Sequence, residues 1–528
     1  MIDKRIFLLF GVIHMDINKN VVLPKKSMSF WLDSTSKTEY EVLNEDIKVD
    51  IAIVGGGLVG ITTGDFLKKE GYKVAIIEAN SIGFGTTGHT TAKITSQHGL
   101  IYNKIKNTLG GDKAKIYAEA NQTAIDIIEQ IVKVKKIDCD FERQSAYIYT
   151  QSDDYVQQII DESKVVNDLG IDSEYLEEIP LPIKIKAALR FENQAQFHPR
   201  KFLLALAKEI PGDGSYIFEH TRAIDIEDTG DGYAVLTENG KRVYASKVVV
   251  ASHFPFYDGL GLYFTRQYAE KSYVLGVHIK EKFSGGMYIT AEDPGRSLRS
   301  QKTDDGKELV LVVGEHHKTG QGEEDTMVHN ENLKRFAEDT FHVESIPYRW
   351  STQDYVTLDG IPYVGAIMSG KPDIFVATGF GKWGMTNSIV SATIIKDLIT
   401  KGESPWEDVY TPSRFTPAAS AKTFVTQNAN VVGELVSGKL EAIPDDIDLK
   451  NGEAKTLEVN GERAGVFRDQ DGKLHIVDTT CTHIGCEVKW NSAEETWDCP
   501  CHGSRFSCDG DIVEGPALKH LKRPNEED

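Results

Sequence analysis

The chain has 528 residues, 40% of them apolar and 26% charged, with 80 acidic against 59 basic side chains and a formal net charge of −21. That length exceeds one ordinary core and calls for roughly three or four folding units. The acidic balance, with no basic stripe to offset it, argues against a nucleic-acid partner. Five of the six cysteines fall between Cys481 and Cys508, so cysteine use is local and does not mark a secreted disulfide scaffold.

The chain opens with a short apolar run, Ile6 to Ile13. It is far short of the ~20 residues that a membrane span needs, no small-residue cleavage site follows it, and no twin-Arg pair precedes it. The expectation is a cytoplasmic protein without a transmembrane segment, with residues 1–46 as an N-terminal extension and Met28 as an alternative start. From Lys48 the pattern sharpens. V-D-I-A-I-V is followed by Gly55-Gly56-Gly57-Leu58-Val59-Gly60, a polar-apolar run to Gly71, and K-V-A-I-I-E ending at Glu78. This predicts strand, tight glycine turn, helix and strand. Gly55 permits the turn, Gly57 lets backbone N–H groups approach a pyrophosphate, and Gly60 with Gly64 lets the helix press on the sheet, with the phosphate at the helix N-terminus. Glu78 is placed to bind ribose hydroxyls.

The stretch I-G-F-G-T-T-G-H-T-T-A-K after this fingerprint resembles the segment with which FAD-dependent oxidoreductases of the D-amino-acid oxidase and sarcosine oxidase type, glycine oxidase among them, line their flavin. The resemblance covers about residues 47–405 and implies FAD as cofactor, with Thr86, Thr87 and His89 in its site. His89 is comparable with the position where dimethylglycine and sarcosine dehydrogenases link a His to the flavin. A Rossmann-like FAD-binding domain is expected over 47–140, 190–260 and 345–405, and a strand-rich substrate domain over 141–189 and 261–344. Within these, 112–135 and 153–169 have helical spacing, F-E-R-Q-S-A-Y-I-Y-T from Phe141 reads as a strand pair, and a helix starts at Pro199. Strands are expected at Ala234–Leu236 and Lys247–Ala251. The loop Gly379-Phe380-Gly381-Lys382-Trp383-Gly384-Met385-Thr386 resembles the one that opens the family's last helix, so Gly379, Gly381, Gly384, Met385 and Thr386 are expected beside the flavin pyrimidine. A helix dipole there favours the negative charge of a reduced flavin.

After Lys401, Pro and small polar residues mark a linker, and 406–440 is expected to hold that linker and a bracing helix, Phe424 to Leu440. Beyond it come two loops, C-T-H-I-G-C from Cys481 and C-P-C-H-G-S from Cys499, with fifteen residues between His483 and Cys499. Each loop offers one Cys and one His. Thiolates suit one ferric iron and neutral imidazoles a second that can become ferrous, so the set fits a two-iron cluster. A zinc finger would instead pair Cys with Cys and His with His.

Residues 441–528 resemble the Rieske family, an all-β domain with a [2Fe-2S] cluster. The resemblance implies that Cys481 and Cys499 bind one iron and His483 and His502 the other. It further implies that Cys486 and Cys501 form a disulfide, that Ser504 donates to a sulfur of the cluster, and that Gly515-Pro516 covers it. Where high-potential members carry a Tyr two residues after this Ser, the chain has Phe506. One hydrogen bond to a ligand sulfur is therefore missing, which places the potential in the middle or lower part of the family's range of roughly −150 to +300 mV.

The fold class expected is thus α/β (α+β) and multidomain. The resemblance implies hydride removal from a C–N bond of an amine or amino-acid-like small molecule, with electrons passed singly from FAD to the cluster and on to an external one-electron acceptor. Several amino-acid oxidases have an Arg for the substrate carboxylate in a W-x-x-x-R-P segment. The matching stretch here reads Trp350-Ser-Thr-Gln-Asp354-Tyr355, which points to a cationic or neutral substrate. Asp354, Arg299 and His316 are the candidate catalytic residues, with Arg296, His317 and Lys318 behind them. Cys139 and Cys508 are taken as spectators. Two rival readings are an NAD(P)H-driven reductase feeding the cluster, which would lack a second dinucleotide fingerprint, and a noncatalytic redox sensor. A Rieske oxygenase would need a mononuclear iron on a separate helical domain.

Overall fold

The apolar run Ile51–Val54 forms a fully buried strand. In the computed structural model, which describes residues 21–258, 261–322, 325–414, 417–440, 449–459 and 462–523, it is central to a six-stranded sheet. The strand order is Tyr363–Met368, Lys371–Thr378, Lys247–Val250, Ile51–Val54, Val74–Ile77 and Tyr216–Phe218. All neighbours are parallel except the first pair. A parallel sheet is covered on both faces, which is why its strands read as continuous Val and Ile runs without alternation. Helix Leu58–Lys69 follows the glycine turn and packs against helix Gly384–Lys401.

The unit expected to hold the substrate is built on a nine-stranded sheet. At its edge, Val343–Thr357 pairs antiparallel with Gln267–Ile279, in the register Glu270↔Asp354, Lys271↔Gln353 and Ser272↔Thr352. Successive side chains of a strand point to opposite faces. Lys271, Gln353 and Tyr355 therefore share one face, and Ser272, Thr352 and Asp354 the other. This alternation decides what each residue can reach.

The C-terminal domain is all β, with a three-stranded sheet (Ala454–Val459, Glu462–Arg468, Leu474–Asp478) and a four-stranded one (Lys489–Asn491, Thr496–Asp498, Arg505–Ser507, Ile512–Glu514). Helix Pro417–Leu440 begins before the expected Phe424 and braces the halves: Asn430 Oδ1 accepts from Lys318 and Gln321, and Glu434 faces Lys489. The residues from Phe141 form one nine-residue strand, Glu142–Thr150, rather than a pair, because the whole run finds partners in Ala187–Gln196 and Met287–Thr290. Helix Met327–Thr340 interrupts the strands within the stretch 261–344 that was expected to be strand-rich.

Residues 21–46 of the expected extension pack into the fold. Trp31 is fully buried and donates to Thr90 O at 2.6 Å, while Arg349 holds the carbonyl of Pro24 at 2.6 Å, upstream of Met28. The run Ile6–Ile13 lies outside the described residues. Among the described residues no helix is long and apolar enough to cross a membrane.

Candidate functional site

The glycine turn makes a backbone cradle. Gly55 has φ +114°, a conformation L side chains rarely adopt, and a Cβ there would lie 2.4 Å from Ala251 O. A Cβ on Gly60 would lie 1.9 Å from Gly55 O, so helix and turn meet only without side chains. Glu78 accepts the Gly56 and Asn80 N–H groups at 2.7 and 2.8 Å, and burial raises its pKa against the pull of those two bonds. Gly55, Gly57 and Glu78 line a cavity of about 680 Å³. Gly60→Ala is expected to give FAD-free protein, read as loss of the flavin absorbance relative to protein.

The cavity runs on past Thr86, Thr87 and His89 to Gly384 and Met385 at the start of the last long helix. His89 Nδ1 bonds Gly85 O at 2.9 Å. Several charged side chains face this space, Asp354 and Lys93 among them. Asp354 is 7% exposed, and its carboxylate takes no hydrogen bond from the described residues. Burial raises its pKa, with His253 and Lys382 pulling the other way. Lys93 has the Ser297 hydroxyl as its partner, and burial followed by the Arg299 charge lowers its pKa to about 7.

At the cluster loops, Cys481 and Cys499 are buried and share a hydrogen bond that draws the Cys481 thiol down and pushes Cys499 up. The rings of His483 and His502 stand 5.1 Å apart. His502 is buried and its Nδ1 has no partner among the described residues, the state of an imidazole nitrogen kept for a ligand. Burial keeps the imidazole neutral, lowering its pKa to about 4 with the help of His483. Sulfurs on one side and imidazoles on the other could hold a two-iron cluster. Cys486, Cys499 and Cys501 also lie together, but Cys486 and Cys501 are joined in a disulfide, which removes two of those three thiols as ligands. Ser504 Oγ accepts Ala517 N–H at 3.0 Å and hydrogen-bonds Cys481.

The two regions touch. Tyr355 OH donates to Gly515 O at 2.8 Å and to His502 O at 3.2 Å, and Gln353 Nε2 donates to Gly503 O at 2.8 Å. The sequence pattern of the FAD dependent oxidoreductase family matches residues 50–398, and that of the Rieske [2Fe-2S] domain residues 441–525.

The chain belongs to the FAD dependent oxidoreductase family.

It binds FAD and, in its Rieske domain, a [2Fe-2S] cluster. This FAD dependent oxidoreductase is 46% identical over 497 residues to YhfW of Bacillus subtilis (strain 168), a protein named for a Rieske 2Fe-2S centre, covering 94% of the chain and 97% of that protein. It is 23% identical over 425 residues to gamma-glutamylputrescine oxidoreductase of Escherichia coli (strain K12), covering 76% of the chain and 95% of that protein. Among solved structures, glycine oxidase from Geobacillus kaustophilus shares the fold at TM-score 0.59 and 19% identity, over 70% of this chain and 99% of that one.

Not every candidate of this FAD dependent oxidoreductase reaches the cavity. Arg299 is fully buried beneath the floor, its guanidinium held by the carbonyls of Thr91, Ala92 and Ser300. His316 pairs with Asp293 at 2.9 Å and Arg296 with Glu315, both outside the cavity lining. His317 bonds Tyr273 OH at 3.3 Å, and Lys318 is taken by Asn430. Gly379 and Gly381 shape the loop without lining the cavity, and Thr386 bonds Thr95 O at 3.0 Å. Cys139 is buried, its thiol pushed up to about 12 by burial, whereas Cys508 lies at the cavity margin beside His475. Sequence reasoning missed Lys93, His253, Gln353 and Tyr355. Gln353 and Tyr355 flank Asp354, so alternation on that strand was the signal available for them.

Proposed function

We propose that this oxidoreductase is a dehydrogenase for a cationic, amine-bearing small molecule, oxidised at a C–N bond, and that electrons leave one at a time through the Rieske side to an external acceptor. The observation that carries the reading is Asp354, a buried carboxylate that faces the FAD cavity and takes no hydrogen bond from the described residues. Bound FAD supplies a hydride acceptor, and the cluster supplies a one-electron site. Asp354 binds the ammonium-bearing end of the substrate, because a buried anion without a hydrogen-bond donor gains most from an opposite charge that also donates. The cavity excludes water around it and fixes the geometry, which supplies much of the rate. Gln353 and Tyr355, next along the chain, hold the cluster loops on the other face of the same strand. The relative named for gamma-glutamylputrescine, an acylated diamine, supports an amine substrate.

Cys481 and Cys499 take one iron; His483 and His502, the latter through its free Nδ1, take the other. With Phe506 fully buried and lacking a hydroxyl, the cluster potential is expected in the middle or lower part of roughly −150 to +300 mV. Ser504→Ala is expected to lower it, since a hydrogen bond to a cluster sulfur stabilises the reduced, more negative state. Redox titration reads both values, and a wild-type potential near the top of the range would contradict the argument.

The function is tested by anaerobic mixing with a panel of diamines, monoamines and amino acids while flavin and cluster absorbance are followed together. Cationic amines are expected to bleach both. Fast bleaching by glycine, sarcosine or D-alanine would defeat the cationic reading, reoxidation by oxygen faster than by the cluster would defeat the dehydrogenase, and bleaching by NADH would favour a reductase.

A further inference from the structure

The FAD cavity is not closed by the flavin unit alone. Arg505, Glu514 and the Gly515–Leu518 segment of the Rieske domain line the same space as Gly57, Thr86 and His89. Three observations independent of that outline agree. His253 Nε2, just beyond strand Lys247–Val250 of the cofactor sheet, lies 3.6 Å from Glu514 Oε1. The charges of Glu494, Arg505 and Glu514, all from the Rieske domain, act on His89. Tyr355 ties Gly515 O to the edge strand of the large sheet.

What holds the domain there is equally direct. On the sheet face that carries Gln353 and Tyr355, Lys271 Nζ meets Asp498 Oδ2 at 2.8 Å with side chains 0% and 1% exposed, and Arg505 Nε meets the other oxygen of Asp498 at 3.2 Å. Gly503 approaches so closely that a Cβ on it would lie 2.3 Å from Ala269 Cβ. A dry, paired contact of this kind fixes one arrangement, since shifting it would leave buried charges without partners.

We propose that the Rieske domain is part of the FAD-binding site: Arg505, Glu514 and the Gly515–Leu518 segment close the cavity over the bound dinucleotide, so FAD affinity requires the docked domain. By linkage, bound FAD tightens docking by the same factor. The claim concerns cofactor retention and stands whatever the substrate is.

Two arms test it. Wild-type protein is stripped of FAD with its cluster kept, as verified by the paramagnetic signal after reduction. Amide hydrogen exchange is then followed at Lys489–Asn491 and at 353–357. Exchange is expected to rise at least fivefold on stripping and to return on adding FAD; unchanged exchange overturns the proposal. In the second arm, Lys271→Met in the full chain is expected to raise the FAD dissociation constant at least tenfold, read by flavin fluorescence. A constant within twofold of wild type, in a variant whose interface amides exchange freely, overturns the proposal. If the variant stays docked or fails to fold, the wild-type arm decides alone.

Discussion

Asp354→Asn is expected to lower kcat/KM for a cationic amine by roughly 30- to 1,000-fold, the factor that corresponds to removing one partner of a buried charge pair worth about 2–4 kcal/mol. The amide keeps the shape and loses the charge, so FAD content and the cluster spectrum should stay at wild-type values. The pH dependence carries the same signature. Burial raises the Asp354 pKa from its ordinary value, with His253 and Lys382 pulling the other way, and only the ionised form attracts an ammonium. KM for a cationic amine should therefore rise as pH falls through that raised value, and the variant should lack this acid limb. Steady-state kinetics with a cytochrome or dye acceptor would check both. A variant within threefold of wild type on the best amine, with its acid limb intact, would remove Asp354 from substrate binding.

Asp498→Asn is expected to destabilise the Rieske domain and its docking by about 3–5 kcal/mol, because it leaves Lys271 and Arg505 facing a neutral amide in a dry contact. The double change Lys271→Met with Asp498→Leu should cost much less, since apolar replacement of a buried pair is often near neutral. Thermal loss of the cluster's visible absorbance reads the difference. Burial alone would raise the Asp498 pKa, but Lys271 and Arg505 together hold it far below the ordinary carboxylate range. Lys271 is itself lowered, by burial first and by the second cation. A carboxylate depressed in the folded state contributes stability that is fully present above its unfolded value of about 3.9 and lost as pH falls toward and through the folded value. Docking should accordingly survive mild acid. Equal melting of Asp498→Asn and wild type at pH 7 would show that the pair does not hold the domain.

Much of the architecture was legible because its signals are local. The glycine turn between Val54 and Leu58 and the pairing of one Cys with one His in each cluster loop are properties of a few adjacent residues. The candidate substrate residues were legible only by strand, not by environment. Ser297 and Arg299 share a face of one strand, yet the chain at Thr91 and Ala92 crosses over Arg299 and caps it, leaving Ser297 in the cavity. His316 follows Glu315, which has φ +56°, and the pairing register with Gln267–Ile279 slips there, so simple alternation no longer says which way the side chain points.

By itself the sequence determined the two cofactors and the order of the domains, because the groups that cradle a pyrophosphate or present thiol and imidazole are spaced within single turns and loops. Only the tertiary structure decided that both domains wall one cavity and that Asp354, not Arg299, faces it. Those facts rest on contacts such as Lys271 with Asp498, 227 residues apart, between side chains that no local spacing relates.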